Sequence, residues 1–313
     1  AIRRQRQMCI RDRYNDDNTY SVNQEGCYYS KYEARDLLKT FVKKFKGSDL
    51  DKKGVKVSMF ESGSMEGDDS SCAAYMDCIL GRGPKYVFKN AKLRKYFKEV
   101  SMHSYWSGAD TKKNAENYFS DKYSKYSVAA TEYCQMTDDK NTGVYDLIAK
   151  EKNGTNGTSI KYGVAMANTI VDDLTIMNAN EWDWWTACSY GTYTDGLIYL
   201  DEDNHENLDF SKRYYCLGNF SKFIKEGAVR VACSSGVKNV RSVAFVNEDN
   251  TVVTVYVNNN DKKAYTTIDC EGDYAVYTTD RDNDIAKTDF GKAKKVKVSL
   301  PASSVVTVVY EAK

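Results

Sequence analysis

The 313-residue sequence has little of several residue types on which whole classes of protein depend. It has only two histidines, and its nine cysteines show no CxxC or Cys/His spacing, so we expect neither a metal site nor a cofactor. No apolar run approaches the roughly 18 residues of a membrane helix. The 45 Lys and Arg balance the 44 Asp and Glu, which argues against general nucleic-acid binding.

The first thirteen residues, AIRRQRQMCIRDR, differ in composition from the rest of the chain. They hold five arginines and no lysine, and no apolar stretch follows them as a signal peptide requires. The string resembles translated sequencing-adapter sequence more than a basic targeting arm. We therefore interpret residues 1–13 as extraneous and expect the native chain to begin near Tyr14, with part of it missing upstream.

From Tyr14 to Leu208, strand-like runs alternate with helical patterns, which is typical of a parallel α/β sheet or barrel. No GxGxxG or GxxxxGK[ST] follows a strand, so nucleotide-binding folds lack their main support. The predicted strands are 55–60, 99–106, 126–134 and 181–188. The predicted helical stretches are 33–45, one closing at 93–97, 115–123, 144–150 and 162–178.

After Leu208 the pattern changes to short β-branched runs separated by Asn, Asp and Gly. This spacing predicts an antiparallel β-sandwich over residues 209–313. The seven predicted strands are 229–233, 240–246, 252–257, 264–268, 274–278, 295–300 and 305–310.

Polar and aromatic residues gather where the predicted parallel strands end, the usual place of an active site in α/β barrels. Trp faces stack on sugar rings, and a carboxylate in such a cleft can be a glycosidic nucleophile. Each residue also has a simpler interpretation, as a solvated loop Glu, a hydrogen-bonded structural His or a core Trp. The candidates are Glu61, His103, Tyr105, Trp106, Glu132, Tyr133, Trp182, Trp184 and Trp185.

Five motifs, in order along the chain, resemble glycoside hydrolase family 30. They are Gln24-Glu-Gly-Cys, His103-Ser-Tyr-Trp, Thr131-Glu-Tyr, Glu181–Ala187 and the segment 214–231, YYCLGNFSKFIKEGAVRV. The last is similar to the family's passage from barrel to sandwich. The resemblance implies a (β/α)8 barrel, of which residues 14–208 supply about strands five to eight, followed by the β-sandwich.

The resemblance also implies a mechanism, retaining hydrolysis by two carboxylates. It makes Glu132 the nucleophile, and Tyr105 a hydrogen-bond donor to it. The family's acid/base is the Glu of an Asn-Glu-Pro, which this sequence lacks. We therefore expect a truncated chain, inactive by itself. The resemblance assigns substrate binding to seven residues: His103, Tyr105, Trp106, Trp182, Trp184, Gln24 and Glu25.

Three hypotheses remain open at this point. The first is a secreted or cell-envelope retaining β-glycosidase, whose signal peptide is lost with the missing N-terminus. The second is a non-catalytic carbohydrate-binding protein that uses the same Trp-lined cleft, and the third is a structural sandwich protein, which the motif order disfavours. The expected partner is a polysaccharide or oligosaccharide of the xylan, β-1,6-glucan or β-1,6-galactan type.

Overall fold

A computed structural model describes residues 30–62, 72–80, 96–136, 158–191, 193–201, 203–204 and 206–311. These residues form two compact units. The first unit runs to Tyr133 and also includes Ile176–Trp184, and the second comprises Cys134–Thr175 and Trp185–Lys313. Across these described ranges, no helix is long and apolar enough to cross a bilayer.

The first unit is a parallel sheet with helices between its strands. The four strands are hydrogen-bonded in the order β1-β2-β3-β4, and all three pairings are parallel. Its elements are α1 Lys31–Phe45, α2 Asp49–Lys52, β1 Val57–Ser62, α3 Cys72–Leu80, β2 Phe97–His103, α4 Ala109–Tyr123, β3 Ser127–Glu132 and β4 Glu181–Trp182.

Helix α1 shows how sequence builds this layer. Ser30 caps it in a capping box with Glu33: the Glu33 N–H donates to the Ser30 side chain, and the Ser30 N–H donates to Glu33 Oε2. Its buried residues recur at helical spacing and pack with Val100 and Met102 of β2 in one core. The buried residues of α1 are Ala34, Leu38, Val42 and Phe45.

Three of the predicted parallel strands are shorter in the structure, and one of them, predicted at 126–134, contains only Ser127–Glu132. The strand predicted at 99–106 ends at His103, and the one predicted at 181–188 contains only Glu181–Trp182. The chain leaves the sheet after its pairing with Ala130, and Cys188–Tyr190 forms a strand of a different sheet. The helix predicted to close at 93–97 is wrong at its end, because Phe97 begins β2; residues 93–95 and the predicted helix 144–150 lie outside the described residues.

The second unit combines two helices, a small sheet and a large antiparallel sheet. The small sheet has the order β5-β6-β7, and the large one has the order β12-β11-β13-β10-β9-β8. Its elements are α5 Ile160–Thr175, β5 Cys188–Tyr190, β6 Ile198–Leu200, β7 Leu208–Phe210, α6 Lys212–Ser221, β8 Val229–Val231, β9 Val240–Val246, β10 Thr251–Asn258, β11 Ala264–Thr279, β12 Ala286–Leu300 and β13 Ser304–Glu311.

The large sheet makes a sandwich by folding over on itself. Strand β11 pairs with β12 along most of its length, but with β13 only through 274–279. A register shift between Asp269 and Gly272 divides β11 at this point. Ile268 before the shift lies in the same core as Tyr256 of β10, although its half of β11 pairs with neither β10 nor β13, so the two halves of the strand belong to facing layers.

The predicted strands 264–268 and 274–278 are therefore one strand, and the sheet has six strands rather than seven. Gly272 permits the bend because its φ is +143°, and a Cβ at this position would collide with the Glu311 carboxylate. The predicted bounds of β9, at 240–246, are confirmed. The domain boundary near Leu208 stays a prediction.

Helices α5 and α6 pack closely because one residue at their crossing has no side chain. A Cβ at Gly163 of α5 would lie 2.6 Å from Cys216 Sγ and 3.1 Å from the Lys212 carbonyl oxygen of α6. The structure has little room for even one methyl group here, because Cys216 is fully buried.

Substituting Gly163→Ala is expected to lower the free energy of unfolding by about 1–3 kcal/mol, the usual cost of overpacking. The measurement is the denaturant midpoint followed by circular dichroism. Adding Cys216→Ala should recover part of the loss, since it removes the nearest clashing atom. Unchanged stability of the Gly163→Ala protein would show that the helices are free to separate.

Asn219 begins a glycosylation sequon, but the folded protein buries it completely. Its amide nitrogen donates to Thr307 Oγ1 at 2.9 Å, and its amide oxygen accepts from Thr279 Oγ1 at 2.5 Å. Both ends of the amide thus join α6 to the sandwich. The sequon at Asn219 is a structural site in the folded chain, and those at Asn153 and Asn156 lie outside the described residues.

Candidate active site

A local irregularity in strand pairing sets the direction of Glu132. Val100 and Met102 of β2 pair with Val128 and Ala130 of β3, and both valines and Met102 belong to the core under the helices. Period-two alternation would send residue 132 to the same side. The register instead shifts after Met102, so that His103 pairs with Glu132. This shift brings the Glu132 carboxylate to the face of the sheet that carries His103.

Glu132 is held by two side chains from the end of β2. The Tyr105 hydroxyl donates a hydrogen bond to Glu132 Oε1 at 3.1 Å. His103 Nδ1 lies 3.6 Å from the same oxygen. His103 and Tyr105 are buried, whereas the Glu132 side chain is 17% exposed. The carboxylate is thus oriented by a buried donor while one part of it remains open to solvent.

Aromatic rings form a continuous series that begins at Tyr105, the hydrogen-bond donor to Glu132. Tyr133 connects the two ends: its ring centroid lies 5.8 Å from that of Tyr105 and 5.9 Å from that of Trp184. Trp182 and Trp184 are two residues apart in the sequence and lie on the same side of the chain. Their ring centroids are 6.3 Å apart, and the angle between the ring planes is 32°. Both Trp side chains are only partly buried, so they offer ring surface that a ligand can cover.

Backbone contacts fix the two loops that carry these rings. The Ser104 N–H donates to the Glu132 carbonyl at 3.3 Å, which ties the turn after β2 to the end of β3. The Asp183 N–H donates to the Ala130 carbonyl at 2.8 Å and so anchors the segment between the two Trp residues. Trp106 follows Tyr105 at a φ of +51°, an uncommon conformation for a bulky residue, and its ring lies 5.5 Å from the Tyr105 ring.

The structure therefore brings most of the predicted site residues together within the first unit. His103 and Tyr105 lie against Glu132, and ring contacts with Tyr105 and Tyr133 join three tryptophans to them: Trp106, Trp182 and Trp184. Gln24 and Glu25 lie outside the described residues, and the side chain of Glu61 is likewise not described. Trp185 belongs to the second unit.

Tyr133 is the residue whose role the sequence analysis underestimated. It is fully buried and contacts both the Tyr105 ring and the Trp pair, so it is the packing link of the site. Its position directly after Glu132 in Thr-Glu-Tyr was the available signal.

The arrangement suits a nucleophilic carboxylate in a sugar-binding cleft. An ionised Glu needs a donor that favours its charged form, which Tyr105 provides, and a sugar needs apolar faces, which the Trp rings provide. Among the described residues, no three His, Cys, Asp or Glu side chains converge in the way a metal site requires.

Comparison with known families gives this geometry a context. The family model described as O-Glycosyl hydrolase family 30 matches residues 14–199, more than half of the chain. The chain belongs to glycoside hydrolase family 30. The model described as Glycosyl hydrolase family 30 beta sandwich domain matches residues 227–308, within the second unit.

Solved structures agree on the fold. The family 30 subfamily 8 xylanase Xyn30A from Clostridium acetobutylicum is 21% identical, with a TM-score of 0.64 over 92% of this chain and 62% of the xylanase. A conserved exported protein from Bacteroides fragilis is 22% identical, with a TM-score of 0.72 over 91% of this chain and 61% of that protein. An endo-β1,6-glucanase is 17% identical, with a TM-score of 0.59 over 93% and 56%.

These likenesses confirm the predicted fold class, part of a (β/α)8 family 30 catalytic domain followed by the antiparallel sandwich domain. The chain spans about three fifths of the length of the solved structures it matches.

Proposed function

We propose that this family 30 chain carries the nucleophile of a retaining β-glycosidase, and that Glu132 is that nucleophile. The observation that carries the proposal is the Glu132 carboxylate, hydrogen-bonded by Tyr105, whose ring is linked through Tyr133 to the Trp182 and Trp184 rings. In the proposed reaction, a Glu132 oxygen attacks the anomeric carbon and the glycosidic oxygen leaves, which gives a glycosyl-enzyme ester. Water then attacks the anomeric carbon and releases Glu132.

We assign the proton-donating role to no residue of the printed sequence. Retaining glycosidases place a second carboxyl group about 5–5.5 Å from the nucleophile, to protonate the leaving oxygen and then activate water. The 313 residues contain no Asn-Glu-Pro. We therefore propose that this chain by itself does not hydrolyse unactivated glycans, but reacts with aryl glycosides whose leaving groups need no proton.

The proposed substrate is a β-linked glycan of the xylan, β-1,6-glucan or β-1,6-galactan type. Support comes from two matched proteins, one a xylanase and the other an endo-β1,6-glucanase. Measuring dinitrophenolate release from the corresponding aryl β-glycosides tests this, and release only from α-glycosides would contradict it.

The second candidate is a carbohydrate-binding protein without catalysis, which the missing Asn-Glu-Pro favours. It predicts glycan binding without any covalent glycosyl-Glu132 ester. Formation of that ester would exclude it.

We also propose that the protein acts outside the cytoplasm, in the secreted or cell-envelope fraction, as the name of the exported Bacteroides fragilis protein suggests. Fractionation of the native host with an antibody against the sandwich tests this, and cytoplasmic recovery would contradict it.

The Tyr105 hydrogen bond is expected to matter for rate. Tyr105→Phe removes the donor to Glu132 Oε1 but leaves the ring. A hydrogen bond to a charged group is worth about 1.5–3 kcal/mol, so glycosylation by activated substrates should slow by about 10- to 100-fold. The measurement is the pre-steady-state rate of dinitrophenolate release.

Tyr123→Phe is the matched control, because it deletes another Tyr–carboxylate hydrogen bond of the same unit, from Tyr123 Oη to Asp77 Oδ1 at 2.5 Å. It should lower stability without slowing the reaction. Equal rates for the Tyr105→Phe and unsubstituted chains would remove Tyr105 from the proposed mechanism.

A further inference from the structure

The small three-stranded sheet of the second unit has one apolar face that the described part of the chain leaves partly exposed. Strand register places Cys188 beside Ile198 and Phe210, and Tyr190 beside Leu200 and Leu208. Residues two apart on a strand share a face, so these six residues form one apolar face. We call this set the β5–β7 face.

The opposite face of the same sheet is buried at β5 and β6. Ser189 and Tyr199 alternate with the six apolar residues and are only 6% and 4% exposed. The Tyr199 hydroxyl accepts from buried Arg213 at 2.6 Å and the Ser189 hydroxyl donates to Asp195 at 2.6 Å. Ser189 and Tyr199 of the polar side therefore face inward, whereas Asp209 at its β7 edge is exposed. The apolar side is exposed along β5 and β7 and half-buried along β6.

Exposed rings dominate the β5–β7 face and its border. Tyr190 is 56% exposed and Phe210 is 39% exposed. Each pairs edge-to-face with a bordering tyrosine: Tyr190 with Tyr193 at 5.8 Å, and Phe210 with Tyr214 at 5.0 Å. Contiguous exposed apolar surface of this kind marks a binding site in soluble proteins.

Charge at the edge of the face selects the class of ligand. The turn between Leu200 and Leu208, closed by the Asp201 N–H donating to the Asn207 carbonyl at 3.3 Å, adjoins the face directly. Residues 201–207 of this turn read DEDNHEN, with four acidic residues and no Lys or Arg. Such an edge repels anionic lipid, nucleic acid and acidic glycans, whereas its carboxylates can accept hydrogen bonds from sugar hydroxyls.

We propose that the β5–β7 face binds an uncharged β-glycan, whose rings stack on Phe210, Tyr214 and their neighbours while its hydroxyls donate to the acidic turn. The inference rests on the proposed function, because the glycan is the substrate class of Glu132. The face would hold a chain of that glycan by residues that take no part in bond cleavage.

The test is affinity electrophoresis of the full chain in native gels containing xylan, β-1,6-glucan or β-1,6-galactan. Glu132→Gln is included in every sample so that retardation reports binding without any reaction at residue 132. At least one glycan should retard the protein, and Phe210→Ala with Tyr214→Ala should raise the apparent Kd about tenfold or more, as truncating aromatic anchors does. Phe290→Ala is the matched control, because Phe290 is 66% exposed on β12, a strand of the other sheet, and it should change nothing.

Several outcomes would overturn the inference. These are no retardation by any of the three glycans, equal retardation with and without the Phe210 and Tyr214 substitutions, or stronger retardation by dextran sulfate. A change in sedimentation from dimer to monomer on substitution would identify the face as a contact between copies instead.

A separate measurement keeps this inference distinct from the proposed function. With Glu132 restored, the Phe210→Ala, Tyr214→Ala chain should still form the covalent ester with an activated 2-fluoro glycoside and should unfold at an unchanged temperature. If the Phe210 and Tyr214 substitutions weaken retardation but no ester forms, the glycan-binding face is supported and Glu132 is rejected as the nucleophile. If the ester forms but the substitutions leave retardation unchanged, Glu132 is supported and the glycan-binding face is rejected.

Discussion

Glu132→Gln is expected to reduce dinitrophenolate release from activated aryl β-glycosides by about 10³-fold or more, because the amide cannot replace a nucleophilic carboxylate. The substitution conserves shape, and Gln can still accept the hydrogen bond that Tyr105 donates to Oε1. Thermal unfolding should therefore change little, and the loss should appear in the rate of glycosylation.

The control for this prediction is Glu116→Gln, which neutralises a carboxylate of the same unit on helix α4. Its rate should equal that of the unsubstituted chain. Adding azide to the Glu132→Gln chain with an activated substrate should yield the α-glycosyl azide, the product of direct attack by a small anion in place of the carboxylate. If the Gln chain keeps more than about a tenth of the rate, Glu132 is not the nucleophile.

Arg213→Met is expected to destabilise the second unit by about 3–5 kcal/mol, because it leaves several buried acceptors without their donor at about 1–3 kcal/mol each. Arg213 is fully buried in α6. Its guanidinium donates to the Gly196 carbonyl at 3.0 Å, to Gln135 Oε1 at 2.9 Å and to the Tyr199 hydroxyl at 2.6 Å. Burial lowers the pKa of Arg213 and raises that of Tyr199, so both groups depend on this pairing.

The free energy of unfolding from denaturant titration measures the effect. Arg213→Lys should also destabilise, because a point charge cannot donate along the three directions of the planar fork. Arg281→Met, at an exposed arginine of the same unit, is the control and should change stability by less than about 0.5 kcal/mol. A loss below about 1 kcal/mol for Arg213→Met would mean that water replaces the guanidinium at little cost.

Local sequence pattern predicted the elements that have one buried and one exposed face. It failed where pairing between strands distant in sequence decides the structure. The β-branched run Val240–Val246 is bounded by turn residues and is a strand with those bounds. The polar segment DCEGD around Gly272 has the composition of a turn, yet it is a bend inside β11, because β12 continues to pair on both sides of it. No local pattern could distinguish these two possibilities.

The candidate site likewise has some features that the sequence predicts and others that only the folded structure shows. The motifs around His103, Glu132 and Trp182 were readable in the sequence, and the structure places them together. The register shift between β2 and β3 turns Glu132 toward His103, and it depends on the pairing of two strands about 25 residues apart. Neither sequence motif alone therefore predicts this shift. Arg213 was equally hidden, since its partners Gln135 and Gly196 come from distant segments.

The most direct test of the central claim is to trap the glycosyl-enzyme ester. The chain is incubated with 2,4-dinitrophenyl 2-deoxy-2-fluoro-β-glycosides of the xylo, gluco and galacto series, digested with trypsin and analysed by mass spectrometry. The account predicts one fluoroglycosyl adduct on the peptide 126–140, which fragmentation assigns to Glu132 and not to Asp138 or Asp139. An adduct on any other carboxylate, or release of dinitrophenolate with no adduct at Glu132, would contradict it.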